Sequence, residues 1–275
     1  MMNGSFRAET LKIRKRAATW VLGALTVAIV VFWSYVVGYI VCNDVLGDSA
    51  RAADLELVRE TLMVKNFHVA GLDTLARFGG AVALVFGAVV AGSEFIWNTI
   101  KTVFMQRPVR NTVLAGEIAA TGASIAAFVL ASFVAAPAAA IALSGPVGAA
   151  VTMPSVPGVL LGFGAAWLVL MAWAASGLAL ASVTRSIAAA VGLGLVYFLA
   201  IENAVSGLAD RYSILEALKS VFIGPNARAL AEQFIPESLV QNPPSSGPAQ
   251  AVAALCGAVA VAAVVSALAW RRDVN

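Results

Sequence analysis

The sequence predicts an all-α polytopic membrane protein with six transmembrane helices and both termini in the cytoplasm. Three observations carry this. Of 275 residues, 60% are hydrophobic and 12% charged, where a soluble chain carries about 25% charged residues to cover its surface. Apolar runs near the ~20 residues needed to cross a ~30 Å hydrocarbon core recur six times. The basic residues cluster at alternate ends of those runs, which fixes an orientation.

Taken in order, Arg7, Lys12, Arg14, Lys15 and Arg16 precede the first run. That run is too long for a signal-peptide core and is followed by no clear cleavage site, so it is expected to remain as a span. Phe6, Ile13 and Trp20 recur at steps of seven among these cations. This pattern suits a helix over about 5–17 lying in the headgroup layer, anchored by Arg14, Lys15, Arg16 and Trp20. The spans follow at about 20–42, 75–92, 112–143, 156–183, 187–205 and 251–270. The third is longer than required and holds Pro137, which predicts a kink or a continuation beyond the bilayer.

An even number of spans puts both termini on one side. With that side inside, cytoplasmic segments hold 11 of the 18 Lys and Arg residues but only Glu9, Glu94, Glu117 and Asp273 as acids. The remaining acids fall toward the outer side, so the positive-inside rule favours this orientation. The net charge of +3 then reports topology. No interleaving of basic and aromatic residues on a soluble face points to nucleic acid.

The inner segment between spans two and three is polar and basic, yet patterned as a helix over about 94–106. Ile96, Ile100, Val103 and Phe104 share one face, Glu94, Asn98, Lys101 and Thr102 the other, and Pro108 stops it. Glu94 has three readings: pairing with a docked partner, pairing with Arg and Lys of the N-terminal helix, or a favourable charge at a helix start. In the outer segments, Ile214, Leu215, Leu218, Val221 and Phe222 form an amphipathic stripe that Gly224-Pro225 is expected to end. Leu230 and Phe234 suggest a further short helix, and Asn242 to Pro248 reads as a turn-rich connector.

Chemistry-bearing residues are few. His68 is the one histidine and is read as a solvated loop residue without partners for a triad or metal site. Ser176-Gly177 inside the fourth span reads as small residues that permit close helix packing. Cys42 and Cys256 are read as apolar thiols. Glu202 and Asn203 end the fifth span; they mark a polar pathway or buried pair, or else a headgroup-level end to the span. No catalytic or metal-ligating set emerges.

RAETLKIRKRAATW before the first span, Glu94, Asn98-Thr99, Lys101, Pro108 and Arg110 in the inner segment, and the terminal WRRDV together resemble permease subunits of type 2 ABC transporters, the group of bacterial drug, antibiotic and polysaccharide exporters. Asn98 and Glu117 depart from the pattern, standing where glycine and a basic residue are common. The resemblance implies a single transmembrane permease domain over 1–275 in a bacterial inner membrane. It also implies two such subunits, here a homodimer, above two ABC ATPase subunits.

ATP and magnesium would sit on that partner, since this chain has no phosphate-binding loop ending in Lys and Ser or Thr. The 94–106 helix becomes a coupling helix whose contact residues are Glu94, Phe95, Trp97, Ile100, Lys101, Phe104, Arg107, Pro108 and Arg110. Spans rich in Ala, Val, Leu and Gly suit an amphipathic or lipid-like solute. An ion-coupled secondary transporter and a non-transporting scaffold or sensor subunit remain as alternatives; the first lacks intramembrane charges other than Glu202 and any convincing internal repeat.

Overall fold

A computed structural model describes residues 2–41, 59–60, 62–96, 110–147, 152–208, 217–235 and 246–271. These are helical, with no strand among the described residues. Helix α1 (Met2–Lys15) ends where Arg16 takes an extended conformation at φ −83°, ψ 128°. The chain then turns into six helices long and apolar enough to cross a membrane: α2 (Ala17–Ile40), α3 (Val64–Phe95), α4, α5 (Val156–Thr184), α6 (Ile187–Leu208) and α8 (Pro248–Arg271). Helix α4 runs over Arg110–Val147, and the short α7 (Ile223–Glu232) packs on α3, α5 and α8.

Helix α3 is the centre of the bundle: 72% of its apolar window is buried, against 17% for α2 and for α6. Its main partner is α5, and the two meet backbone to backbone. A Cβ at Gly87 would collide with the Ala174 carbonyl, and one at Gly177 with the Leu84 carbonyl. Glycine at both positions thus sets the helix separation, the role small residues take where lipid offers no hydrophobic drive to association. Ser176 Oγ donates back to Ala172 O at 2.9 Å, so the Ser176-Gly177 pair serves packing. Around this crossing Leu84, Phe86, Leu170 and Trp173 are fully buried, and Phe86 meets Phe128 of α4 edge to face at 5.1 Å.

Helix α4 spans 38 residues without interruption, about 57 Å at 1.5 Å per residue. It therefore continues beyond a bilayer core, as its length predicts, with Pro137 inside the continuous helix. The turn from α5 to α6 is tight. Arg185 adopts a left-handed conformation at φ 54°, and Ser186 Oγ then accepts from Ala189 N at 3.3 Å, capping α6. Ser155 caps α5 in the same way, accepting from Gly158 N at 3.3 Å.

Two expectations are corrected. The second membrane helix begins at Val64, well before Leu75, so His68 is helical and half-buried rather than in a solvated loop. It lies against Gly158 and Gly162 of α5. Asp73, just before the predicted start, pairs at 2.9 Å with Arg77 inside the predicted span, across one turn, so the helix continues through them on its exposed side. Likewise Gly224-Pro225 starts a helix and does not end one. Phe222 is the N-terminal cap of α7, and Pro225 falls in the first turn, where its missing N–H is no loss.

Candidate functional site

Five charged residues meet where α1, α3 and α4 converge. Lys12 Nζ donates to Glu9 Oε1 at 2.9 Å and to Glu94 Oε1 at 3.1 Å. Arg16 Nη2 reaches the same Glu94 oxygen at 3.5 Å, while its Nη1 donates to the carbonyls of Val89 at 3.4 Å and Val90 at 3.3 Å. Those carbonyls lie near the C-terminal end of α3, where a cation is favoured by the helix dipole. Burial pulls the Lys12 pKa down, but the hydrogen bond from Lys12 to Glu9 and the charges of Glu94 and Glu9 outweigh it, leaving it above the ordinary lysine value. The ammonium stays charged, as the pairing requires.

Glu117 completes the cluster from α4. It is fully buried, the charges of Glu9, Glu94, Lys12 and Arg16 all act on it, and neither carboxylate oxygen has a hydrogen-bond partner among the described residues. Beneath it α1 crosses α4 closely: a Cβ on Gly116 would lie 2.6 Å from Ser5 Oγ. The ion pairs therefore tie α1 to the end of α3, while α1 packs against α4 at Gly116; α3 and α4 are the two helices that flank residues 97–109.

Of the three readings of Glu94, pairing with the N-terminal segment is the one present in the structure, through Lys12 and Arg16. Phe95 is half-buried and packs against the apolar cluster that includes Ala91, Val113, Leu178 and Trp270. Trp97, Ile100, Lys101, Phe104, Arg107 and Pro108 lie outside the described residues, as does Cys42, and Arg110 opens α4. Arg14 and Lys15 are exposed, whereas Arg16 turns inward. Trp20 is exposed, and its Nε1 donates to Arg14 O at 2.9 Å. Glu9, Lys12 and Glu117 were not singled out as site residues from sequence. A charged residue at the base of an apolar run was the available signal for Glu117, and the three-residue step from Glu9 to Lys12 for the others.

Glu202 occupies a second buried polar position. Its carboxylate accepts from Gly224 N at 2.9 and 3.1 Å and from the Tyr197 hydroxyl. Phe222 provides no side-chain cap for α7, so Glu202 acts as that cap from another helix, satisfying an orphan N–H with a negative charge at a helix N-terminus. Asn203 is exposed and donates to Leu199 O at 2.8 Å. Glu202→Ala is expected to destabilise the protein by about 1–3 kcal/mol, the cost of leaving a buried donor unpaired, and Glu202→Gln by less. Thermal unfolding in detergent reads the difference, and equal loss in both would show that the acceptor is not what matters.

A bundle of six apolar helices, with a charged cluster where one of them meets a short terminal helix, is that of a multi-pass membrane protein. The profile of the ABC-2 family transporter proteins matches residues 5–273, and the chain belongs to that family. It is accordingly an ABC-transporter membrane subunit, of a family that implies an ABC ATPase partner and typically has no ATPase site of its own. Comparison with curated proteins returned no match.

Proposed function

We propose that the chain is the transport subunit of an ATP-driven exporter of an amphipathic or lipid-like compound. It acts as a homodimer with both termini in the cytoplasm, above two ATPase subunits that bind ATP and magnesium. The observation that carries this is the Glu94 ion-pair cluster, which fixes α1 to α3 where α1 also packs on α4, so that the helices on either side of the inner segment are held together. A push delivered to that segment then reaches two membrane helices and α1 together, not one flexible loop. A partner shifts an equilibrium between access states only through contacts that differ between them; Phe95, Trp97, Ile100, Phe104 and Arg107 are assigned those contacts.

A secondary transporter would need an ionisable group open to its pathway; Glu202 is engaged at the α7 N-terminus, and Glu117 is fully buried against α1 and α3. The test is Phe104→Asp in reconstituted vesicles with the ATPase. Transport is expected to be abolished while membrane insertion and assembly of the bundle persist. Undiminished ATP-driven transport would overturn the assignment of the inner segment as the coupling surface.

A further inference from the structure

Between α1, α2 and α4 lies an open groove of about 390 Å³ that the transport reading does not use. Its walls are small: Gly23 and Ala24 on α2 face Ala127 and Ala131 on α4. Its floor is the Phe128 ring, which a Cβ on Gly23 would approach to 2.8 Å. One end is polar and fixed. Thr19 Oγ1 donates to Ile13 O at 2.6 Å and Trp20 Nε1 to Arg14 O at 2.9 Å, so the bend between α1 and α2 is locked by side chains at the rim.

Arg14 stands at that rim. The cations of this region divide into two sets. Lys12 and Arg16 face inward and are taken by Glu9 and Glu94, whereas Arg14 is exposed and makes no ion pair among the described residues. A cation at the start of a membrane helix, above a smooth apolar channel running along that helix, complements a ligand with an anionic head and an apolar tail. We propose that this groove binds one anionic phospholipid per chain. The phosphate sits against Arg14 and Trp20, and an acyl chain lies along Gly23, Ala24, Ala127 and Ala131. Basic groups at the membrane surface draw anionic lipids generally; the groove adds a place for the tail, and so a defined site. The site needs neither the ATPase nor the exported compound, so its test is independent of the transport reading.

Native mass spectrometry of the detergent-purified full chain tests it, with phosphatidylglycerol or phosphatidylcholine of identical acyl chains added. One phosphatidylglycerol is expected to be retained per chain under conditions that strip phosphatidylcholine. Arg14→Gln should weaken retention about tenfold, as loss of a charge-assisted hydrogen bond does. Lys15→Gln, next along the helix but outside the groove lining, should retain the lipid. Ala127→Trp, which fills the groove from an exposed position, should abolish retention while the protein still elutes as a single species. Equal retention of both lipids, equal losses in Arg14→Gln and Lys15→Gln, or retention unaffected by Ala127→Trp would each overturn the site. So would an Ala127→Trp protein that loses its dimer and keeps its lipid, which would assign the groove to a second copy of the chain.

Discussion

Gly87→Val is expected to prevent the bundle from assembling, with little protein recovered as a single species after detergent extraction. The reason is geometric. The added side chain would enter the Ala174 backbone, and a backbone on a packed helix cannot rotate away as a side-chain tip does. Overpacking a core ordinarily costs about 1–3 kcal/mol, occasionally more. Here the colliding atoms belong to the main chain of α5, so α3 and α5 must separate and the contacts around Phe86, Leu170 and Trp173 go with them. Gly177→Val should behave alike, because it meets the Leu84 carbonyl from the other side of the same crossing.

Gly164 supplies the internal comparison. It lies on α5 too, but a Cβ there meets nothing within 4 Å, so Gly164→Ala should be neutral or stabilise by up to about 1 kcal/mol through helix propensity. Size-exclusion profiles and thermal unfolding of the three variants separate these outcomes. A well-folded Gly87→Val protein with unchanged melting would refute the backbone contact.

The spans were legible in the sequence because hydropathy and length are local properties, and α2, α4, α5, α6 and α8 lie close to where the apolar runs put them. The first third of α3 was not. Asp73 looks like the boundary of a run when it is counted alone as a charge, whereas on the helix it pairs with Arg77 one turn further on. Gly224-Pro225 misled for a related reason: the same dipeptide suits the end of one helix and the first turn of the next, and what decides is the Glu202 carboxylate, 22 residues away, at the Gly224 N–H. Ser176-Gly177 was readable as a packing device, but its partner Leu84 was not, since no local pattern names the opposite helix. Likewise the sequence left three readings open for Glu94, and only the fold of α1 back onto α3 brings Lys12 and Arg16 to it.

Glu94→Gln is expected to destabilise the protein and Glu117→Met not to, although both remove one carboxylate from one cluster. Glu94 is paired with two cations through a single oxygen, and its side chain is 9% exposed. Losing its charge leaves Lys12 dependent on Glu9 and strips Arg16 of its ion-pair partner. Removing one member of a fully buried pair costs about 3–5 kcal/mol. Because Lys12 and Arg16 keep 34% and 24% of their side-chain exposure, solvent screening reduces this to about 1–3 kcal/mol. Glu117 is different: it is buried without a hydrogen bond to either oxygen among the described residues. Met has similar size and no polar group to satisfy, so Glu117→Met removes an uncompensated desolvation cost and should leave the melting temperature unchanged or raise it. A fall of more than about 1 kcal/mol in Glu117→Met would mean that Glu117 already holds Lys12 or Arg16. Crossing each change with Lys12→Met in a double-mutant cycle then assigns the pairing: coupling to Glu94 and none to Glu117 is the expected pattern. In vesicles with the ATPase, Glu94→Gln should also lower transport more than its stability loss explains, since the joint that carries motion from the inner segment to α1, α3 and α4 is the one it loosens.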